Sequence, residues 1–234
     1  SSIIEMEPAS VDWAAIMKGA AWFHVTGITP ALGEKGAACT RAAIEAARAA
    51  GAKVSVDLNY RKKLWTKAAA QATMRPMMPM VDVVIANEED LQSVLGLTVL
   101  GTDVVSGELS IEGYRAAAEQ VTREFGPTMV AITQRESHSA SDNGWSALLW
   151  DAKTATLHQS QRYDVRLVDR IGGGDSFAAG LIYGLVTGRG PEASLRFGVA
   201  ASALKQTIPG DFNRVSVAEV DALAAGDGSG RVQR

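Results

Sequence analysis

A chain of 234 residues that is 47% hydrophobic and 21% charged has enough apolar material for a full core and lies far from disordered compositions. Its formal net charge of −3 argues against a general nucleic-acid or anionic-membrane binder, which carries a basic excess. The single cysteine, Cys39, excludes an intrachain disulfide and a Cys-rich metal site and fits a reducing cytoplasm. The longest uncharged stretch, residues 19–33, is shorter than the ~18–20 apolar residues of a spanning helix and is interrupted by His24, Thr26, Thr29 and Pro30. The start, Ser1-Ser2-Ile3-Ile4-Glu5, has neither the basic cluster nor the apolar run of an export signal. A cytoplasmic protein with no membrane or nucleic-acid partner is the expectation.

In chain order the pattern alternates. Residues 21–25 form a short apolar run with β-formers, followed by Gly27. Residues 34–50 are alanine-rich with spaced charges and read as a helix ending at Gly51. Strands are predicted at 53–57, 81–85 and 129–132, and helices at 66–78, 88–95 and 111–125. Apolar strands alternating with helices predict an α/β fold, a mostly parallel central sheet with helices on both faces. After Ile132 the pattern becomes a short β-meander, 146–150, 154–160 and 165–168, followed by helices at 175–186 and 192–205. A last helix opens at Ser216 with Glu219 three residues on, a capping-box pattern, and ends at Gly226. Residues 97–110 and 135–144 read as surface loops, and the polar tail 227–234 as frayed. There is no internal repeat and no interdomain linker, so residues 1–234 are expected to be one α/β domain.

In an open α/β sheet ligands sit at the carboxyl ends of the strands. Here those ends carry Thr26-Gly27, Asp57-Asn59-Arg61, Asn87 to Asp90, and Thr133 onward. The sharpest segment is Asp169-Arg170-Ile171-Gly172-Gly173-Gly174-Asp175-Ser176-Phe177. Three glycines lead directly into a helix, where close backbone approach, free N–H groups and the positive dipole end favour an anion. Asp175 sits where a carboxylate can take a proton from a hydroxyl beside that anion, which is what hydroxyl phosphorylation requires. A tight turn capped by an aspartate would explain one glycine and one acid, and three consecutive glycines exceed that need. No Gly-Lys-Ser/Thr follows, and Phe177 falls where a dinucleotide fingerprint has its third glycine. His24, His138 and His158 show no metal spacing, and no Gly-x-Ser-x-Gly elbow is present.

These residues resemble the ribokinase-like carbohydrate kinase family over essentially the whole chain from Trp22. Within that family the strings at residues 23–32, 57–65 and 169–177 are most similar to 2-keto-3-deoxygluconate kinases. The resemblance implies Asp175 as catalytic base and Gly172, Gly173 and Gly174 as the anion hole. It implies Arg61, in an Asp-x-Asn-x-Arg strand end, as a ligand of the acceptor. A guanidinium there suits a keto-acid carboxylate, while by its own sequence Arg61 reads equally as a solvated member of Arg61-Lys62-Lys63. Asn87 and Asp90 resemble the family's Asn-x-x-Glu, one methylene shorter, which organises magnesium and phosphate. Thr133 falls at the nucleotide strand. Asp211, after Pro209-Gly210, resembles a late turn near the acceptor, although Pro-Gly alone accounts for a type II turn.

The implied activity is ATP-dependent phosphorylation of the 6-hydroxyl of 2-keto-3-deoxygluconate, with Mg2+ accompanying ATP, no metal held directly by the protein, and a homo-oligomer as assembly. A neutral-sugar kinase such as a fructokinase, and a non-catalytic sugar or nucleotide sensor, are the alternatives. Three departures stand out. Thr133-Gln134-Arg135 and a long insert replace Thr-x-Gly, leaving Arg135, Ser137 and Ser139 open between phosphate contact and plain loop. Arg170 replaces a common threonine, which leaves monovalent cation binding open. The family's lid strands and first sheet strands have no counterpart before Trp22, so a missing N-terminal part and an uncovered sheet edge are expected, with self-association and little turnover as the consequence.

Overall fold

The computed structural model describes residues 2–98, 111–139 and 141–226. Among these, seven strands share one sheet in the order Trp22–Thr26 (β1), Lys53–Asp57 (β2), Val83–Ala86 (β3), Met129–Ser137 (β4), Asp142–Asp151 (β5) and Thr156–Gln159 (β6), with Tyr163–Arg166 (β7) beside β5. Its contacts divide into two units, Ser1–Ile132 with Trp150–Leu157, and Thr133–Leu149 with His158–Arg234.

In the first unit, Ser2–Glu5 and Pro8–Ser10 are 3-10 turns, and Trp13–Met17 (α1) is a short helix whose N-terminus is capped by the Asp12 side chain on Ala15 N–H. These short turns escape a periodicity search because none completes two helical repeats. Trp22–Thr26 (β1) pairs in parallel with Lys53–Asp57 (β2), from Trp22 opposite Lys53 to Thr26 opposite Asp57. β2 pairs in parallel with Val83–Ala86 (β3), and β3 with Met129–Ser137 (β4). Val54, Val56, Val83, Val84, Val130 and Ile132 are all buried, as expected of a sheet covered on both faces. His24 is half-buried in β1, its Nδ1 2.8 Å from Ser55 Oγ.

The crossovers are helical. Ile28–Ala31 (α2) is a single turn before Glu34–Ala49 (α3). Gly36, Cys39, Thr40, Ala43, Ile44 and Ala47 are the buried stripe of α3, spaced three and four apart as one helical face requires. The helix expected over 66–78 stops early: Lys67–Met74 (α4) gives way to a 3-10 segment, Arg75–Met80. Pro76 and Pro79 lack the N–H that would continue the α-helical ladder. The strand expected at 81–85 then starts two residues late, because Val81 N–H closes that 3-10 turn on the Met78 carbonyl at 2.9 Å. Glu88–Asp90 (α5) runs into a π-helical turn, Leu91–Leu95. Ile111–Phe125 (α6) has the expected bounds. Of the loop expected at 97–110, residues 99–110 lie outside the described residues, as does the tail 227–234.

Asp82 ties this unit together. Its carboxylate accepts hydrogen bonds from Lys53 Nζ (2.9 Å), Arg48 Nη1 (2.8 Å) and the buried Val54 N–H (2.9 Å). Its carbonyl accepts from the Thr128 and Met129 amides at the start of β4. Burial works against the charge, but Lys53, the Val54 amide and Arg48 outweigh it and hold the carboxyl below its ordinary value. A depressed carboxylate stabilises the fold above its unfolded pKa, about 3.9, and that stability is lost as pH falls through the lower folded pKa. Arg48 and Lys53 are half exposed, so each ion pair contributes at most about 1 kcal/mol. The larger part is the acceptor for a buried amide. Asp82→Ala is expected to cost about 1–3 kcal/mol at neutral pH and to flatten the acid limb of stability. Urea titrations from neutral pH down to the acid limb check this, and equal losses at every pH would remove the carboxylate from the account.

In the second unit the expected loop over 135–144 is not a loop. β4 continues to Ser137 and Asp142–Asp151 (β5) begins five residues later, so the segment is a β-hairpin. The polar run Thr133-Gln134-Arg135-Glu136-Ser137 hid the strand, because neither of its faces is apolar. Its turn closes on itself: His138 and Ser139 N–H groups both donate to the Asp142 carbonyl at 3.0 Å, and Ser137 Oγ donates to Asn143 Oδ1. Thr156–Gln159 (β6) follows, and Tyr163–Arg166 (β7) pairs antiparallel with β5. Then come Gly173–Val186 (α7), Pro191–Gln206 (α8) and Val217–Ala224 (α9). Small residues let α7 and α8 approach closely. A Cβ at Gly180 would lie 2.9 Å from Gly198 Cα, and one at Gly184 would lie 2.7 Å from Ser194 Cα. The capping box expected at Ser216 and Glu219 is present. Phe197, Ala200, Ala201 and Val220 form the core between α8 and α9.

Candidate active site

In the first unit the strand ends are linked side by side. Gly27 N–H donates to the Asp57 carbonyl at 2.7 Å, and a Cβ at Gly27 would stand 2.1 Å from the Leu58 carbonyl oxygen. Glycine is therefore the residue this crossing admits. Asp57 Oδ1 accepts from Asn59 N–H (3.2 Å), and Asn59 Nδ2 donates to Thr26 Oγ1 (3.0 Å). Asn87 and Asp90 form a reciprocal capping box at the start of α5, with Asp90 N–H on Asn87 Oδ1 at 2.8 Å and Asn87 N–H on Asp90 Oδ2 at 3.1 Å. The other Asp90 oxygen accepts from Tyr60 N–H at 2.8 Å. Burial pushes the Asp90 carboxyl up, against the two amide donors and the Arg61 charge. Both Asp90 oxygens thus carry main-chain donors, and Asp90 joins the end of β2 to the end of β3. Arg61 is exposed and donates from Nη1 to the neighbouring Tyr60 carbonyl at 3.0 Å, which leaves most of its guanidinium donors directed at solvent. This unit brings Arg61, Asn87 and Asp90 together.

In the second unit the glycine signature opens α7. Gly172 has a left-handed φ of +77° at the N-cap, and a Cβ there would lie 2.3 Å from the Asp211 carbonyl oxygen. Gly173 N–H donates to the Arg170 carbonyl (3.2 Å), its carbonyl accepts from Ser202 Oγ (2.8 Å), and Gln206 packs on it. A Cβ at Gly174 would meet nothing within 4 Å. The first helical bond is Ser176 N–H on the Gly172 carbonyl at 2.9 Å. The Gly174 and Asp175 amides lie ahead of it, among the groups a helix start leaves without intrahelical partners. The three glycines therefore differ in role: Gly172 makes the turn, Gly173 packs, and Gly174 keeps the approach open. Asp175 is exposed on the same first turn. Gly172, Asp175 and Asp211 line one cleft of about 370 Å³, whose other wall includes Tyr183, Phe197 and Val220.

Thr133 lies inside β4, half-buried, and not at a strand end. Ser137 and Ser139 are engaged within their own hairpin. Two residues around the glycine turn carry no role in the sequence pattern. Asp169 accepts from Ile171 N–H and Gly210 N–H, each at 3.0 Å. Lys205 is buried beside it. A lysine in the last turn of a helix ordinarily reads as a solvated dipole partner, so nothing in its spacing distinguishes it. Among the described residues no helix is long and apolar enough to cross a membrane.

A positively polarised helix start with an open face and an exposed carboxylate beside it can bind a phosphate and take up a proton. Residues 4–215 match the pfkB family carbohydrate kinases. A crystal structure of 2-dehydro-3-deoxygluconokinase from Thermotoga maritima is 46% identical with a TM-score of 0.90, over 97% of this chain and 66% of that one. A 2-dehydro-3-deoxygalactonokinase of Haloferax volcanii is 31% identical over 215 residues, 92% of this chain and 60% of that protein. A fructokinase of Salmonella thompson is 28% identical over 196 residues, 81% of this chain and 77% of that protein. The chain thus spans about two thirds or less of the first two relatives' length, and the glycine-aspartate signature, the α/β fold and the matched residues lead to one statement: the chain belongs to the pfkB family of carbohydrate kinases.

Proposed function

We propose that the protein is an ATP-dependent sugar-acid kinase that phosphorylates the 6-hydroxyl of 2-keto-3-deoxygluconate. The observation that carries the reading is the start of α7, where an unobstructed approach at Gly174 lies next to the exposed Asp175. In this reading Asp175 takes the proton from the acceptor hydroxyl as its oxygen attacks the γ-phosphorus. The bond from phosphorus to the bridging oxygen breaks, and the electron pair leaves with ADP. The amides at the helix start stabilise charge on the transferring phosphoryl oxygens, and Gly172 and Gly173 hold that turn in shape. Arg61 takes the acceptor carboxylate. Asp211 lies toward the acceptor, and Asn87, Asp90 and Thr133 organise the nucleotide end.

Among the described residues no group of three or more His, Cys, Asp or Glu side chains could hold a metal, and both Asp90 oxygens already carry main-chain donors. Mg2+ would arrive as part of the nucleotide substrate.

The acceptor is tested by a coupled ADP-release assay with 2-keto-3-deoxygluconate, 2-keto-3-deoxygalactonate and fructose, followed by phosphorus NMR of the product. A kcat/KM highest for the gluconate acid and a phosphate on O6 are expected. Preference for fructose would establish the neutral-sugar reading, for which the match to a fructokinase speaks. ATP binding without turnover on any acceptor would make the protein a sensor.

Arg61 gives a sharper test of the acid. Arg61→Ala should raise KM for the keto acid roughly ten- to hundredfold, the equivalent of a lost charge-assisted pair of about 1.5–3 kcal/mol, with KM for ATP unchanged. Arg61→Lys should recover only part, because a point charge cannot make the two-pronged contact. Equal losses for both substrates would move Arg61 to the phosphates or to the fold.

A further inference from the structure

Lys205, in the last turn of α8, is fully buried, with 0% of its surface exposed. A lysine is taken wholly out of water only where its ammonium is hydrogen-bonded and its charge is answered. Its Nζ donates to two carbonyls, Asp169 and Ile208, each at 3.3 Å. Asp169 leads into the glycine turn, and Ile208 opens the turn that sets the Asp211 carbonyl against Gly172. One ammonium therefore bridges the two turns that meet at the N-terminus of α7.

The charge is answered locally. The Asp169 carboxylate repeats the same bridge, taking Ile171 N–H on one oxygen and Gly210 N–H on the other. These two amides, and beyond them the Lys205 charge, hold the Asp169 carboxyl below its ordinary value against the cost of its burial. The Asp169 and Val168 amides are anchored as well, both on the Gln206 carbonyl next to Lys205. The lysine stem passes close to the turn itself: its Cε lies 3.4 Å from where a Cβ at Gly172 would stand. A last-turn lysine commonly caps carbonyls of its own helix. Lys205 spends its donors instead on the two turns outside α8.

We infer that Lys205 is a positioning residue for phosphoryl transfer, a built-in cation whose buried ammonium locks the glycine turn to the 208–211 turn and so fixes the Gly174 and Asp175 amides for the transferring phosphate. The inference rests on the kinase reading of this site. It explains why a cationic side chain occupies a place that packing alone would give to leucine or methionine: two main-chain carbonyls converge there, and a neutral apolar tip would leave both without a donor.

The test uses two variants and a readout that needs no turnover. Lys205→Met keeps an unbranched stem of similar length and removes every donor. Hydrogen exchange in this variant should lose protection in residues 169–176 and 207–211 together, with the sheet amides unchanged. Its kcat for the keto acid should fall about 10- to 100-fold, the scale of a misplaced catalytic group, while KM for the acceptor stays within about twofold. Lys205→Ala vacates the space beside the carbonyls. Ammonium chloride should restore part of its kcat, whereas tetramethylammonium chloride at equal ionic strength should not, having no N–H to donate. Unchanged exchange in both segments, or wild-type kcat in Lys205→Met, overturns the inference. So does a loss in Lys205→Ala that the two salts leave equally deep. If Lys205→Ala does not fold, exchange and kcat of Lys205→Met decide. A wild type that turns over neither the sugar acids nor fructose would sink the kinase reading, while the exchange experiment still reports whether Lys205 holds the two turns.

Discussion

Asp175→Asn should leave a folded protein that still binds ATP and has lost about 10²–10⁴ in kcat, the usual worth of a general base. The substitution keeps the shape of the side chain and its exposure on the first turn of α7, so neither the turn nor the helix has reason to move. It removes only the ability to accept the hydroxyl proton. Loss of that group alone lowers kcat and kcat/KM together and leaves the nucleotide KM nearly unchanged. The measurement is steady-state kinetics where chemistry is rate-limiting, with the melting temperature as control. A variant that keeps more than about a third of wild-type kcat would take Asp175 out of the base role, and one that loses ATP affinity in proportion would make it a phosphate-site residue.

Two glycines of the same turn, Gly172 and Gly174, should respond in opposite senses to the same methyl group. Gly172→Ala forces a Cβ to within 2.3 Å of the Asp211 carbonyl oxygen at a φ of +77°. Left-handed strain of about 1–3 kcal/mol adds to overpacking of similar size, and the clashing atom is main chain, which cannot swing aside. A stability loss of about 2–5 kcal/mol and loss of activity are expected. Gly174→Ala meets nothing within 4 Å inside the helix. It should be neutral in stability or stabilising by up to about 1 kcal/mol, the difference in helix propensity. The new methyl nevertheless stands in the open approach to the helix start, so kcat/KM for ATP should drop at least tenfold, about 1.4 kcal/mol. Denaturant midpoints and kinetics on the two variants separate these outcomes. If Gly174→Ala keeps full turnover, no phosphate approaches there.

The parallel half of the fold is legible because its code is local and redundant. Val54, Val56, Val83 and Val84 announce strands buried on both faces, and the α3 stripe from Gly36 to Ala47 has only one possible face. The 133–137 strand was illegible for the opposite reason: Thr133, Gln134, Arg135, Glu136 and Ser137 are polar on both sides, and its partner across the hairpin supplies the information. In the site, the glycine signature and Asp175 are readable because their chemistry is main-chain and contiguous. Asp90 was only half readable. Its acidity at a helix start is visible, whereas its service to Tyr60, thirty positions away, depends on two strand ends lying side by side. Lys205 leaves no trace in its own neighbourhood, since the carbonyls it serves are set by where the chain returns after Pro209-Gly210.

The close seating of α7 on α8 bears on how the site comes into being. Its cross-links run from Gly173 to Ser202, 29 positions apart, from Asp169 to Lys205, 36 apart, and from Asp169 to Gly210, 41 apart. All fall within one continuous stretch closed by a helical hairpin, so the chain entropy of joining them is modest, growing only with the logarithm of loop length. Segments of this kind open and close as cooperative units. The helix start around Gly174 should therefore fold and unfold in step with α8, gaining and losing its shape as one piece with the hairpin.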